Sequence, residues 1–342
     1  MSPAVRAPHR ICHGVDDVEC EAAGRRGSLP GMLPGLMVEP IHSDAVPPLR
    51  QRWLAAGDVR LRLHEWGDPE ATPVVLCHGF FDHARGFDRL APRLASRYRV
   101  VALDARGHGD SDWADTYMWP VDVLDIVRVL RDLGRPAHLI GHSKGGGQAT
   151  DAATLEPDRV RGLVNLDGFG PPDDQGFKRP GAPDQSQMTI AQRCGEYLDR
   201  RRKADQRTVW PAYPSFEDLV ARRGEQNPGL DSEWLRYFVY HAARAHDDGW
   251  RWKADPQMVA GGFGPFKPEW IGPSWQQLRS PMLAVIGSKP DTWGPLPEKL
   301  LQRRLKYVQH LERVTIEGAG HFIHMQEPES LADHVLEFLG RA

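Results

Sequence analysis

The sequence predicts an α/β fold: a mostly parallel central sheet with helices on both faces, and a mainly helical insertion. Three observations carry this. Short apolar runs such as Pro73–Cys77, Arg99–Leu103 and Ala137–Ile140 lack polar alternation, as strands buried on both faces require. Stretches with helical apolar spacing separate these runs, and strand–helix alternation implies crossovers in a parallel sheet. The rhythm stops after Gly168 and resumes at Pro281, so an insertion interrupts it.

In chain order, residues 1–50 are rich in Pro, Gly, Arg and Ala with no sustained period, and read as a flexible leader. Val59, Leu61 and Leu63 alternate with Arg60, Arg62 and His64 as in a half-buried strand, with a hairpin turn at Gly57-Asp58 before them. The run Pro73–Cys77 stops at His78-Gly79-Phe80-Phe81, and a helix is expected over Phe87–Ser96. Arg99–Leu103 leads into Asp104-Ala105-Arg106-Gly107-His108-Gly109-Asp110-Ser111-Asp112, a tight polar loop. Val121–Leu133 reads as a helix ending at Gly134, followed by the strand at Ala137–Ile140, a helix over Lys144–Leu155 and a strand at Arg161–Leu166.

Between about 170 and 275 the predicted pieces are helices at Thr189–Lys203 and Asp231–Ala245, with clustered aromatics that include Trp210, Trp234, Tyr237 and Phe238. The closing elements are a strand at Pro281–Gly287, a helix near Pro297–His310, a strand at Glu312–Ile316 and a helix at Pro328–Leu339. The domain reading is a core of 51–169 and 276–342 with the insertion 170–275 as a cap.

Composition excludes several classes. The chain of 342 residues is 40% apolar with a formal net charge of −3, so no global field points to nucleic acid or an anionic membrane. No apolar run reaches the roughly 18 residues of a membrane span, and no signal-peptide pattern is present, so the cytoplasm is the default location. Cys12, Cys20, Cys77 and Cys194 are irregularly spaced, which fits reduced thiols. His9, Cys12, His13 and Cys20 match no zinc spacing. No metal and no cofactor are expected.

The chemistry centres on Gly141-His142-Ser143-Lys144-Gly145. A G-x-S-x-G pentapeptide between strand and helix turns sharply enough to lift a serine hydroxyl into the open. A serine hydroxyl needs a histidine to take its proton and a carboxylate to orient that histidine. His321 lies in a glycine-rich loop after the last strand, and Asp291 follows the strand before it. Asp291 is the preferred acid from its position in the chain, and Asp167, at the end of the strand at 161–166, is the alternative. Lys144 could attract an anionic substrate or pair with a nearby acid. His78, His108, His142 and His324 read as bracing groups.

From about Trp53 onward the chain resembles the α/β-hydrolase family, in particular members with a helical cap after the sixth strand. The resemblance rests on His78-Gly79-Phe80, the Asp104–Ser111 loop, the Ser143 elbow, and Gly320-His321 followed by His324 and Glu327-Pro328-Glu329. It implies an oxyanion hole made by the backbone N–H groups of Phe80 and Lys144. The reading that follows is a serine hydrolase acting on a small carboxylic ester. A carbon–carbon bond hydrolase or lactonase would use the same triad, and a non-catalytic ligand-binding module of this fold is the rival from another class.

Overall fold

In a computed structural model, residues 39–170, 188–204, 209–260, 264, 270–291 and 293–342 are described, all in one compact unit. The strands are β1 (Arg50–Ala56), β2 (Val59–Trp66), β3 (Pro73–Cys77), β4 (Arg99–Leu103), β5 (Ala137–His142), β6 (Val160–Leu166), β7 (Ala243–His246), β8 (Gly249–Trp252), β9 (Met282–Gly287) and β10 (Leu311–Ile316). The helices are α1 (Ala91–Leu94), α2 (Trp119–Asp132), α3 (Lys144–Leu155), α4 (Ile190–Ala204), α5 (Phe216–Gln226), α6 (Ser232–Ala242), α7 (Glu298–Leu305), α8 (Ile323–Gln326) and α9 (Pro328–Leu339).

Eight strands form one sheet in the order β1-β2-β4-β3-β5-β6-β9-β10. β1, β2 and β4 pair antiparallel, and every other pair is parallel. Because strand side chains alternate between faces, each buried strand feeds two cores. Val75, Cys77, Leu139, Leu163 and Ala284 face one core with residues of α2 and α3, while Val74, Leu76, Ile140, Val164 and Val285 face the other with residues of α1 and α9. The fully apolar runs in the sequence are therefore those needing cover on both sides.

The chain runs from β3 to β4 on one side, then returns to place β5 on the other side of β3. That reversal leaves a crevice between the carboxyl ends of β3 and β5, where ligands bind in open α/β sheets. His78-Gly79-Phe80 and Ser143 leave the sheet there.

Several expectations change in detail. The helix expected over Phe87–Ser96 is only α1, with a 3-10 turn at Ala84–Phe87 before it. The helix expected to reach Ala245 ends at Ala242, where the chain enters the β7–β8 hairpin. Within the stretch 1–50 expected as a leader, Val46 donates its N–H to the Asp88 carbonyl at 3.0 Å and accepts from Trp66 Nε1 at 2.8 Å, and β1 begins at Arg50. Residues 1–38 lie outside the described residues, with Cys12, Cys20 and the His9–Cys20 cluster. Cys77 and Cys194 are free thiols. Among the described residues, no helix is long and apolar enough to cross a membrane.

Candidate active site

Ser143 joins β5 to α3 with φ 52° and ψ −122°, a positive φ that a residue with a side chain adopts only at a cost of about 1–3 kcal/mol. Neighbouring glycines permit the turn. A methyl on Gly141 would lie 2.6 Å from Gly146 Cα, and one on Gly145 would lie 2.5 Å from the Cys77 carbonyl oxygen. The backbones of α3, β3 and β5 thus meet without side chains between them, and Ser143 N–H donates to the Leu166 carbonyl at 2.9 Å.

The next residue but one along from Leu166's N-terminal neighbour, Asp167, is also left-handed, with φ 47°. Asn165 tightens this turn: its Oδ1 accepts Gly168 N–H at 2.7 Å, and its Nδ2 donates to Thr150 Oγ1 at 3.1 Å. The turn brings Asp167 Oδ2 to 2.6 Å from His321 Nδ1, with both side chains buried. Facing a carboxylate, that nitrogen carries the proton, leaving Nε2 as the ring's basic position. The adjacent His142 ring donates from Nε2 to the His321 carbonyl at 2.9 Å. Ser143 is therefore tied through chain neighbours to both members of the Asp167–His321 pair.

The carboxylate at the imidazole is that of Asp167, the alternative acid, and not that of Asp291, the one preferred from chain position. Asp291 is occupied by backbone donors: Oδ2 accepts His321 N–H at 2.7 Å, and Oδ1 accepts Trp293 N–H at 2.8 Å and Gly294 N–H at 3.0 Å.

Phe80 and Lys144 flank the crevice at the ends of β3 and β5. Phe81, beside Phe80, has φ 57° and is held from two sides: its N–H donates to His108 Nε2 at 3.2 Å, and its carbonyl accepts from Arg223 Nη1 of α5 at 3.2 Å. Arg223 Nη2 also reaches Asp82 Oδ1 at 2.5 Å in a buried ion pair. Sequence reading missed this pair along with α5, although Ser215 and Asp218 form a capping box at that helix's start and are legible as one. Lys144 Nζ lies 2.7 Å from Asp122 Oδ2, and both are buried. Its charge is matched by that acid.

His78 and His108 brace their loops. His78 Nδ1 donates to the Gly79 carbonyl at 2.7 Å while Nε2 accepts Ala105 N–H at 3.0 Å. Burial lowers the pKa of His78, His108, His142 and His324, so all four favour the neutral imidazole. Asp104 accepts from Ala84 N–H at 2.7 Å and Asp110 N–H at 2.9 Å, and the His64 ring helps hold its carboxyl below the ordinary range against the opposing effect of burial. Among the insertion's aromatics, Trp234 and Phe238 are fully buried, whereas Trp210 packs edge-on against Phe81 with ring centroids 6.2 Å apart.

The chain is similar to known hydrolases. A probable serine hydrolase of Drosophila melanogaster is 25% identical over 295 residues, 81% of this chain and 83% of its own length. A 3-hydroxybutyrate-oligomer hydrolase of Cupriavidus necator is 28% identical over 295 residues, 81% of this chain and 92% of its own. The solved thioesterase domain from the curacin biosynthetic pathway superposes with a TM-score of 0.71 at 24% identity, over 84% of this chain and 99% of that domain, and shows the shared fold. The model of the alpha/beta hydrolase family matches residues 74–334, a span that holds the elbow serine, the Asp167 turn and the His321 loop. This chain belongs to the alpha/beta hydrolase family and is a hydrolase.

Proposed function

We propose that this hydrolase cleaves a small carboxylic ester through an acyl-enzyme on Ser143, with His321 as base and then acid, and Asp167 orienting the imidazole. The observation that carries this reading is the 2.6 Å contact between Asp167 and His321 Nδ1, next to the strained Ser143 elbow. Ser143 Oγ attacks the carbonyl carbon and its proton passes to His321 Nε2. The carbonyl oxygen becomes an oxyanion, met by the N–H groups of Phe80 and Lys144, each donor worth roughly 3–4 kcal/mol in the transition state. As the tetrahedral carbon collapses, the C–O bond to the alcohol breaks and the alcohol leaves with the His321 proton. Water then attacks the acyl carbon, again losing its proton to His321, and frees Ser143 and the acid.

The segment 170–275 acts as a cap in this reading. Support comes from Arg223 and Trp210, which contact Phe81 beside the proposed oxyanion loop. An ester is favoured over an acidic carbon–carbon substrate because Lys144, the cation such a substrate would recruit, is committed to Asp122. The relative that hydrolyses 3-hydroxybutyrate oligomers, whose units are joined by ester bonds, supports the same choice.

The test is a panel of p-nitrophenyl esters of increasing acyl length, with Ser143→Ala as control and a fluorophosphonate probe to mark the nucleophile. Turnover that vanishes in Ser143→Ala, with the probe on Ser143, supports the reading. Full esterase activity in Ser143→Ala overturns it.

A further inference from the structure

Asp291 accepts three backbone N–H groups and touches no titratable side chain in doing so. One of the three belongs to His321, and the other two, with Asp291 N–H donating to the Gly294 carbonyl at 2.8 Å, close a tight turn after β9. The turn lies directly on the Asp167–His321 contact. A methyl on Gly294 would collide with Asp167 Oδ2 and stand 3.3 Å from His321 Nδ1. A methyl on Gly320 would lie 2.5 Å from Asp291 Oδ2, so the chain on the His321 side is equally close. Gly320 N–H is itself fixed by Gln326 Oε1 at 2.8 Å.

We propose that Asp291 is a positioning residue: it anchors the His321 backbone and folds Gly294 flat against the Asp167–His321 hydrogen bond, sealing that bond from water. The proposal rests on the triad reading given above. A buried charge-assisted hydrogen bond strengthens when water is excluded, and a displacement of even 1 Å in a reacting group can cost about 100-fold in rate. A carboxylate suits the task because it is acceptor-only and can take all three N–H groups. Asparagine would keep the two donors on Oδ1 and present its amide N–H₂ to the His321 N–H. Alanine would release all three.

The experiment measures kcat and KM on p-nitrophenyl acetate together with the proton NMR resonance of His321 Nδ1–H, using Asp291→Ala, Asp291→Asn, Asp167→Asn and Gly294→Ala in the full chain. Asp291→Ala should lower kcat roughly 10- to 100-fold with little change in KM, and its Nδ1–H resonance should broaden through exchange with water. Asp291→Asn should recover part of both. Gly294→Ala leaves Asp291 in place and should also lose kcat and the resonance through the collision of its methyl with Asp167, and the milder Asp291→Asn keeps the test decisive if Asp291→Ala folds poorly. Wild-type kcat and a sharp resonance in Asp291→Ala or Gly294→Ala would overturn the positioning role while leaving the triad reading intact. Full activity in Asp167→Asn with none in Asp291→Asn would overturn both, by making Asp291 the acid.

Discussion

The chain beyond β6 and the chain beyond β9 each carry an aspartate and do opposite things with it. The two strands are parallel neighbours, and Asp167 N–H donates across them to the Val285 carbonyl at 2.9 Å. At the end of β6, the left-handed backbone of Asp167 directs its own carboxylate to an imidazole. Beyond β9, the chain folds back so that its own amides consume the Asp291 carboxylate. Residue type and strand-end position therefore do not decide what a carboxylate can orient. The backbone donors within its reach decide.

The largest expected effect comes from Asp167→Asn, which should lower kcat roughly 10⁴-fold, the size seen when the orienting carboxylate of a serine triad is neutralised. Steady-state kinetics on a p-nitrophenyl ester measures it, and a loss no greater than that of Asp291→Ala would erase the contrast between the two strand ends. Gly168→Ala comes next, because its methyl would stand 2.5 Å from the Ser143 carbonyl oxygen and 2.6 Å from Asn165 Oδ1. It should cost roughly 1–3 kcal/mol in urea unfolding and about 100-fold in kcat through displacement of Asp167.

Asn165→Ala strips the β6 turn of its side-chain brace without touching the pair itself. Leaving the Gly168 N–H unpaired should cost about 1–3 kcal/mol of stability, with a kcat loss smaller than that of Gly168→Ala. Unchanged kcat would show that the left-handed turn holds itself.

The smallest effect is a control outside both strand ends. His138 on β5 is buried, and burial, with Arg161 adding to it, lowers its pKa to about 4. Above about pH 6.5 the imidazole is neutral folded or unfolded and its contribution is constant. As pH falls below that, the unfolded chain binds a proton that the folded chain refuses until about pH 4. Stability is lost over that window, by about 1.4 kcal/mol per pH unit at most from this group. His138→Leu should flatten the acid limb of unfolding free energy against pH by that slope and leave kcat unchanged.

Much of the molecule was legible in the sequence wherever the signal was local. Apolar runs gave the buried strands, and the helix expected over Lys144–Leu155 is α3 residue for residue. The Ser143 turn was readable because glycines on both sides of a serine report a close backbone approach within five residues. Which of Asp167 and Asp291 reaches the His321 ring was not, because it depends on a positive φ and on which amides surround each carboxylate once β6, β9 and the His321 loop are assembled. Arg223 was hidden for a similar reason. Its partners Asp82 and Phe81 lie about 140 residues earlier in the chain, and helical periodicity carries no trace of so distant a contact.

The first turn of α3 has one more consequence. Besides Gly145 against Cys77, a methyl on Gly146 would meet Asn165 Oδ1 at 2.7 Å, and one on Gly147 would meet the Trp119 ring at 2.7 Å. The helix is seated on the sheet like a bearing with no clearance. Such a seat has almost no compliance, so it holds the Ser143 turn against displacement. By contrast, α5 holds the Phe81 loop through the side chain of Arg223. The serine side of the crevice is thus fixed by backbone against backbone, and the Phe81 side is held by a side chain.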